Sequence, residues 1–260
     1  HWRQGSGIQS PTPKYKWGDK VVNAGWVTTF NNQAIVSENR LTKIPKDFDL
    51  RIALLFGCAI TTAMGVVNND AQIKIGQSLI IFGLGGVGLT ICQSASLVSA
   101  YPIIGVDLHE SKINLAKKNG CDEVINYSKE DFAKRVMELT NGKGLPVVYD
   151  GVGKSTFEKS LACLKTRGTM VSFGNASGAL SPIDVPKMLQ PKGLFFVRPS
   201  MGQYLSTSEE LNEASKMLFE KINSGQVKIE IFKKYKLDEA MQAHIDLENR
   251  KIIGPAVIIP

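Results

Sequence analysis

Cysteine is scarce in this chain. Four occur in 260 residues, at positions 58, 92, 121 and 163, and no two form a C-x-x-C pair. That spacing argues against a disulfide framework and against a complete structural zinc site, so a reduced, cytoplasmic setting is expected. Histidine is scarcer still, with three. Neither His109 nor His244 has a serine–acid or cysteine partner at a telling spacing, which leaves a hydrolase reading without its parts. No apolar run reaches the roughly 18 residues that a membrane span needs. The opening residues, His1-Trp2-Arg3-Gln4-Gly5, lack a charged region followed by an apolar one, so no signal peptide is expected. Position 1 is not methionine, and the sequence reads as a piece of a longer frame.

What is present is the composition of a globular protein with a large core. Hydrophobic residues make up 43% and charged residues 21%, both ordinary values. The net charge of +7 gathers only weakly, as in Lys233-Lys234-Tyr235-Lys236. That cluster reads as a solvated face, and neither a nucleic acid nor a membrane is expected as a partner.

The most informative stretch runs from Ser78 to Asp107. A short apolar strand, Leu79 to Phe82, enters a turn with glycine at 83, 85 and 88. A helical stretch follows, then a second apolar strand that ends on an acid. Such a βαβ unit suits a dinucleotide. Gly83 allows the tight turn, Gly85 lets the backbone approach a pyrophosphate, and Gly88 lets the helix pack close to the strand. The free N–H groups and dipole at the helix start favour negative charge. Asp107 would accept from a ribose 2′-hydroxyl and repel a 2′-phosphate, so NAD rather than NADP is expected.

Strands and helices alternate after residue 78. Strands are expected at Leu79–Phe82, Ile103–Val106, Val124–Ile125, Pro146–Tyr149, Thr169–Phe173 and Leu194–Val197. Helices are expected at Gly86–Ser99, Glu110–Lys118, Glu130–Thr140 and Lys154–Leu164. This alternation implies a parallel sheet covered on both faces. The front of the chain has β texture, with strand-like stretches at Val21–Thr29, Gln33–Ser37 and Leu41–Ile44. Asp49 is expected to cap one apolar helix running to about Asn68. At the rear, helices are expected at Glu209–Ile222 and from Asp238 to about Asn249, with a last strand at Ala256–Ile259. Met217, Leu218 and Ile222 are expected in the core.

On these residues the chain resembles the medium-chain dehydrogenase/reductase superfamily over nearly its whole length. To about Gly120 it is similar to the zinc-type alcohol dehydrogenase branch, through G-C-A-I-T-T-A-M-G-V-V (Gly57–Val67), F-G-L-G-G-V-G-L (Phe82–Leu89) and V-D-L-H-E-S-K (Val106–Lys112). From about Val124 it is similar to the quinone oxidoreductase branch, which uses no zinc. The phrases there are V-I-N-Y (Val124–Tyr127), V-V-Y-D-G-V-G (Val147–Gly153), M-V-S-F-G-N-A-S-G (Met170–Gly178) and R-P-S (Arg198–Ser200).

The resemblance implies an α/β Rossmann fold with a doubly wound parallel sheet and a truncated GroES-like, β-rich catalytic lobe. Residues 1–60 would be the remnant of that lobe, 61–199 the dinucleotide-binding domain, and 200–260 a segment returning to the lobe. It implies Cys58 as a catalytic zinc ligand, its two partner ligands belonging to a preceding segment. Thr62 would stand beside the nicotinamide as the catalytic candidate. Gly83, Gly85, Gly86, Val87 and Gly88 would hold the pyrophosphate, and Asp107 with Lys112 the adenosine ribose. Gly151, Val152, Gly174 and Asn175 would flank the nicotinamide side. Pairing of the Leu194–Val197 strand across a two-fold axis implies a homodimer. The function expected first is hydride transfer between NAD(H) and an alcohol or carbonyl compound, with zinc in the full-length parent. One alternative is a zinc-independent NAD(P)H reductase for quinones or enones. The other is a catalytically silent nucleotide-binding fragment. The substrate would be a small alcohol, aldehyde or quinone.

Overall fold

The structure is a computed structural model, and it describes residues 8, 11–12, 14–23, 29–205 and 207–260. It divides into two compact units, residues 1–58 with 201–260, and residues 59–200.

The first unit opens with β1 (Lys14–Trp17) and β2 (Lys20–Asn23), antiparallel, with Lys14 opposite Asn23. Gly18, at φ 58°, makes the turn between them. The strand expected at Val21–Thr29 therefore begins as β2, and its later part falls on residues 24–28, outside the described ones. Gln33–Ser37 and Leu41–Ile44 are not strands but irregular segments on either side of a 3-10 turn at Glu38–Arg40. A strand needs a neighbour to satisfy its backbone groups, and none of the described ladders reaches these segments. Asp49 caps α1 (Leu50–Ala53) by accepting from the Arg51 N–H at 2.9 Å. The single helix expected to reach Asn68 is broken, however. A 3-10 stretch covers Leu54–Gly57, and Cys58 leaves the helical region at φ −149°, ψ −63°. Gly57 lies at the break, where glycine costs a helix about 1 kcal/mol.

The second unit begins with α2 (Ala59–Gly65) and a wider π turn over Val66–Ala71. The alternating elements follow as β3 (Leu79–Phe82), α3 (Gly86–Leu97), β4 (Ile103–Asp107), α4 (Glu110–Lys118), β5 (Glu123–Asn126), α5 (Phe132–Leu139), β6 (Leu145–Asp150), α6 (Phe157–Ala162), β7 (Leu164–Ser172), α7 (Val185–Met188) and β8 (Phe195–Val197). All six strands are parallel, in the order β5-β4-β3-β6-β7-β8. Counted from its own first strand the order is 3-2-1-4-5-6, the doubly wound arrangement. Every residue of β3 and β4 is buried, because helices cover both faces. Leu79 and Ile81 point into one apolar cluster with Ile91 and Ile103, while Ile80 and Phe82 point into the other with Val106 and Phe132. That is the two-residue alternation of a strand. The helix expected at Lys154–Leu164 is shorter at both ends, since Gly153 and Thr156 form a turn and Leu164 already belongs to β7.

The chain returns to the first unit with α8 (Met201–Tyr204), α9 (Ser208–Asn223), β9 (Lys233–Lys236), α10 (Ala240–Glu248) and β10 (Ala256–Ile259). Thr207 and Glu210 form a reciprocal capping box at the start of α9, which fixes its first turn. On α9, Leu218 is buried as expected, but Met217 is 37% exposed. Its neighbour Phe219 turns inward instead, stacked on Phe56 and edge-on to Phe48.

The basic run 233–236 is more than a solvated face. It is β9, paired in parallel with β10, and Tyr235 within it is buried. The buried Asp246 carboxylate accepts from Lys233 Nζ and Tyr235 Oη, each at 2.8 Å, and from Gln242 Nε2 at 2.9 Å. The Lys233 ammonium first, then Tyr235 and Gln242, hold the Asp246 carboxyl well below the usual carboxylate range. A lowered folded value stabilises the unit above the unfolded value of about 3.9, and that contribution is lost as pH falls below it. Asp246→Asn is expected to flatten the decline of the melting temperature below about pH 4, measured by thermal unfolding across pH.

Candidate dinucleotide-binding site

β3, β4, β6 and β7 end on the same edge of the sheet, and the segments leaving them meet there. After β3, Gly83 turns the chain at φ 93° and its N–H donates to the Val106 carbonyl at 2.9 Å. A side chain at Gly88 would collide with the Gly83 carbonyl oxygen. The helix therefore starts tight against the turn. Gly85 is the opposite case. It is extended, at φ −84°, ψ −165°, and a Cβ there would meet nothing within 4 Å. Space for an approaching ligand is thus left beside the turn. As N-cap of α3, Gly85 offers no side-chain cap, and the first turn holds no acid. The first N–H groups of the helix, including those of Gly86, Val87 and Gly88, have no carbonyl four residues back to serve and are suited to an anion.

Asp107, the last residue of β4, is buried and tied to that turn. Its Oδ2 accepts from the Leu84 N–H at 2.8 Å. Its Oδ1 accepts from the N–H groups of Leu108 at 2.8 Å and His109 at 3.1 Å. Lys112 Nζ stands 4.0 Å from Oδ2. A carboxylate oxygen has two lone pairs, so Oδ2 keeps an acceptor position beyond its one hydrogen bond. His109 precedes α4 as its N-cap residue. It is half-buried rather than solvent-facing, and its Nε2 is enclosed with no partner among the described residues.

The turns after β6 and β7 interlock. The Phe173 N–H donates to the Asp150 carbonyl at 2.9 Å, and the Ser177 N–H to the Val152 carbonyl at 2.8 Å. The Ser177 hydroxyl also donates to the Val152 carbonyl at 2.8 Å and accepts from the Ser155 N–H at 2.9 Å. Gly151 and Gly174 lie backbone against backbone, since a Cβ on Gly174 would strike the Gly151 carbonyl oxygen. A Cβ on Gly151 would come within 2.7 Å of the Phe173 ring. The glycine turn joins them: a Cβ on Gly83 would lie 3.3 Å from Val152 Cγ2, and the Gly151 N–H donates to the Phe82 carbonyl at 3.0 Å. Gly83, Gly151, Val152 and Gly174 are therefore neighbours, with Asn175 next along the loop.

One organising residue was missed in the sequence. Asp150 is fully buried at the end of β6. Its carboxylate accepts from the Val152 and Gly153 N–H groups at 2.8 and 2.9 Å, from the Thr156 hydroxyl at 2.9 Å and from the Ser160 hydroxyl at 2.8 Å. The signal was present as an acid closing a strand, as at Asp107, here directly before a glycine turn.

Thr62 is half-buried on α2, which packs against α3. Cys58 is exposed and belongs to the other unit. Among the described residues no three His, Cys, Asp or Glu side chains come together to hold a metal ion. The donors described here do not fit a catalytic zinc, which needs three protein ligands. They do fit a dinucleotide, with an open glycine approach, a helix start without acids and a carboxylate with acceptor capacity.

A family model described as "Zinc-binding dehydrogenase" matches residues 86–220. Quinone oxidoreductase 1 of Escherichia coli is 44% identical over 260 residues, covering 98% of this chain and 78% of that protein. 2-Haloacrylate reductase of Burkholderia sp. is 37% identical over 235 residues, covering 89% of this chain and 70% of that protein. Among solved structures, the Escherichia coli quinone oxidoreductase complexed with NADPH matches with a TM-score of 0.80 at 38% identity, covering 84% of this chain and 67% of that one. The doubly wound sheet with its glycine turn and these relatives together assign the chain to the medium-chain dehydrogenase/reductase superfamily.

Proposed function

We propose that the chain carries the coenzyme site of a zinc-independent quinone or enone reductase that prefers NADH to NADPH. The reading first expected from the front of the sequence was an alcohol dehydrogenase. Relatives named for quinone and haloacrylate reduction favour the alternative.

Bound at this site, a nicotinamide dinucleotide supplies the hydride. The chain's own residues bind and orient. The N–H groups of Gly86, Val87 and Gly88 would hold the diphosphate against the start of α3. Asp107 would accept from the ribose 2′-hydroxyl, with Lys112 alongside. Gly151, Val152, Gly174 and Asn175 would form the backbone wall on the nicotinamide side, and Thr62 would stand by the reacting ring. The dimer would extend the sheet through the edge of β8, where Phe195 is 47% exposed.

The observation that carries the NADH preference is the Asp107–Leu84 hydrogen bond. It fixes a buried carboxylate at the turn, where a 2′-phosphate would meet like charge. At an effective dielectric between water and protein the repulsion is about 2 kcal/mol, or roughly 30-fold in affinity. The solved relative holds NADPH, so this preference separates the chain from it. Fluorescence titration is expected to give NADH the tighter binding by that factor; NADH oxidation is expected with 1,4-benzoquinone as acceptor, and no reduction of NAD⁺ is expected with ethanol as donor. Tighter NADPH binding would reject the Asp107 argument, and ethanol oxidation would restore the alcohol dehydrogenase reading.

A further inference from the structure

Arg198 follows β8, and its guanidinium reaches back to the end of β7. A single nitrogen, Nη1, makes all three hydrogen bonds, to the Ser172 carbonyl at 2.8 Å, the Ser172 hydroxyl at 3.1 Å and the Gly174 carbonyl at 3.1 Å. A guanidinium carries five N–H groups in a rigid planar fork. Nη1 lies on the Cδ side of that fork. The remaining edge, Nε with Nη2, presents two parallel N–H bonds that match the two oxygens of a carboxylate. Among the described residues no carboxylate pairs with Arg198. Asp184, on the connection from β7 to β8, is committed to capping α7 through the Lys187 N–H at 3.1 Å.

Arg198 borders a solvent-open groove of about 570 Å³ whose other polar lining is Asn175 and Ser181, all three side chains exposed. Its apolar wall is Leu180, Ile183 and Phe196. All three of these pack on the apolar cluster beneath the sheet, so the wall is anchored. Phe196 is further fixed edge-on to Phe157, with ring centres 5.8 Å apart.

We propose that this groove binds a small organic carboxylate with a flat apolar body. The carboxylate meets the Nε–Nη2 edge of Arg198, and the body lies on Phe196, Leu180 and Ile183. An inorganic anion gains nothing from the apolar wall, and a neutral ring gains nothing from the fork. Asn175 lines this groove and also stands on the expected nicotinamide side. The carboxylate site itself stands without the coenzyme reading.

The test is calorimetric titration of the nucleotide-free protein with cinnamate, and with cinnamamide as its neutral counterpart. Cinnamate is expected to bind one to one, with cinnamamide at least roughly tenfold weaker. Arg198→Lys replaces the fork by a point charge and is expected to weaken cinnamate roughly tenfold. Arg198→Met is expected to reduce cinnamate to the level of cinnamamide. Because both variants also lose the Nη1 bonds to the loop, the acid-against-amide comparison on the unaltered protein decides the matter without them. Undetectable cinnamate binding, or equal affinity for acid and amide, overturns the proposal. A parallel NADH titration separates the two readings. Cinnamate binding without NADH binding removes the coenzyme reading and leaves the carboxylate site. NADH binding without cinnamate binding does the reverse.

Discussion

Gly88→Ala is expected to lose nucleotide binding altogether and to destabilise the sheet-bearing unit by about 3 kcal/mol. The added methyl group would strike the Gly83 carbonyl oxygen, a backbone atom that no rotamer change can move aside. Helix α3 must then back away from β3, which opens the turn and misdirects its N–H groups. At the scale of this chain such a loss lowers the melting temperature by roughly 10 °C. Gly85→Ala is the informative counterpart. Its methyl would meet nothing within 4 Å, and its backbone is already in a region open to alanine. Stability is expected to stay within about 0.5 kcal/mol. NADH affinity is expected to fall by roughly tenfold or more, because the methyl fills the approach to the diphosphate. Calorimetry and NADH fluorescence on both variants check the pair. If Gly88→Ala keeps normal affinity, or Gly85→Ala lowers stability more than affinity, the glycine assignments are wrong.

Asp150→Ala carries the second large effect. It strips the acceptor from two backbone N–H groups and two hydroxyls in a fully buried position. Each orphaned donor costs about 1–3 kcal/mol unless water enters to serve it. The net loss is expected to be about 4 kcal/mol, seen as a lower urea midpoint at unchanged slope. Asp150→Asn keeps one acceptor oxygen but turns an NH₂ group toward donors, and about half of that loss is expected. Because Asp150 shapes the Gly151–Gly153 turn, both variants should also weaken NADH binding, in the same order as the stability loss. A stable Asp150→Ala protein would mean that the turn is held by its interlock with residues 173–178 alone.

The second unit was legible because its signals are local. Glycine at 83, 85 and 88 between an apolar strand and a helix, and an acid closing the next strand, need no knowledge of distant partners. The carboxyl-edge placement follows from strand alternation, since parallel strands all end on one side. The first unit was not legible in the same way. Gln33–Ser37 has strand composition but pairs with no strand among the described residues, and pairing is a tertiary fact. Lys233–Lys236 has the composition of a surface loop and yet forms β9, because β10 lies beside it and Asp246 receives its lysine and tyrosine. The break at Cys58 sits in a run whose apolar content suits one helix. Arg198 appeared only within a family phrase, since its role depends on where the end of β7 lies. The branch reading went to alcohol dehydrogenases on the phrases Gly57–Val67, Phe82–Leu89 and Val106–Lys112 and on Asp107, whereas the relatives favour the quinone reductase phrases of the rear half.

The tether from Asp107 to the Leu84 N–H has a practical consequence for coenzyme engineering. Swapping the acid for a small neutral residue to admit a phosphorylated coenzyme would also unfasten the first loop from the second strand. A redesign toward biocatalysis with NADPH must therefore install a replacement acceptor for the amides of Leu84, Leu108 and His109 before any cation is added to greet the extra phosphate.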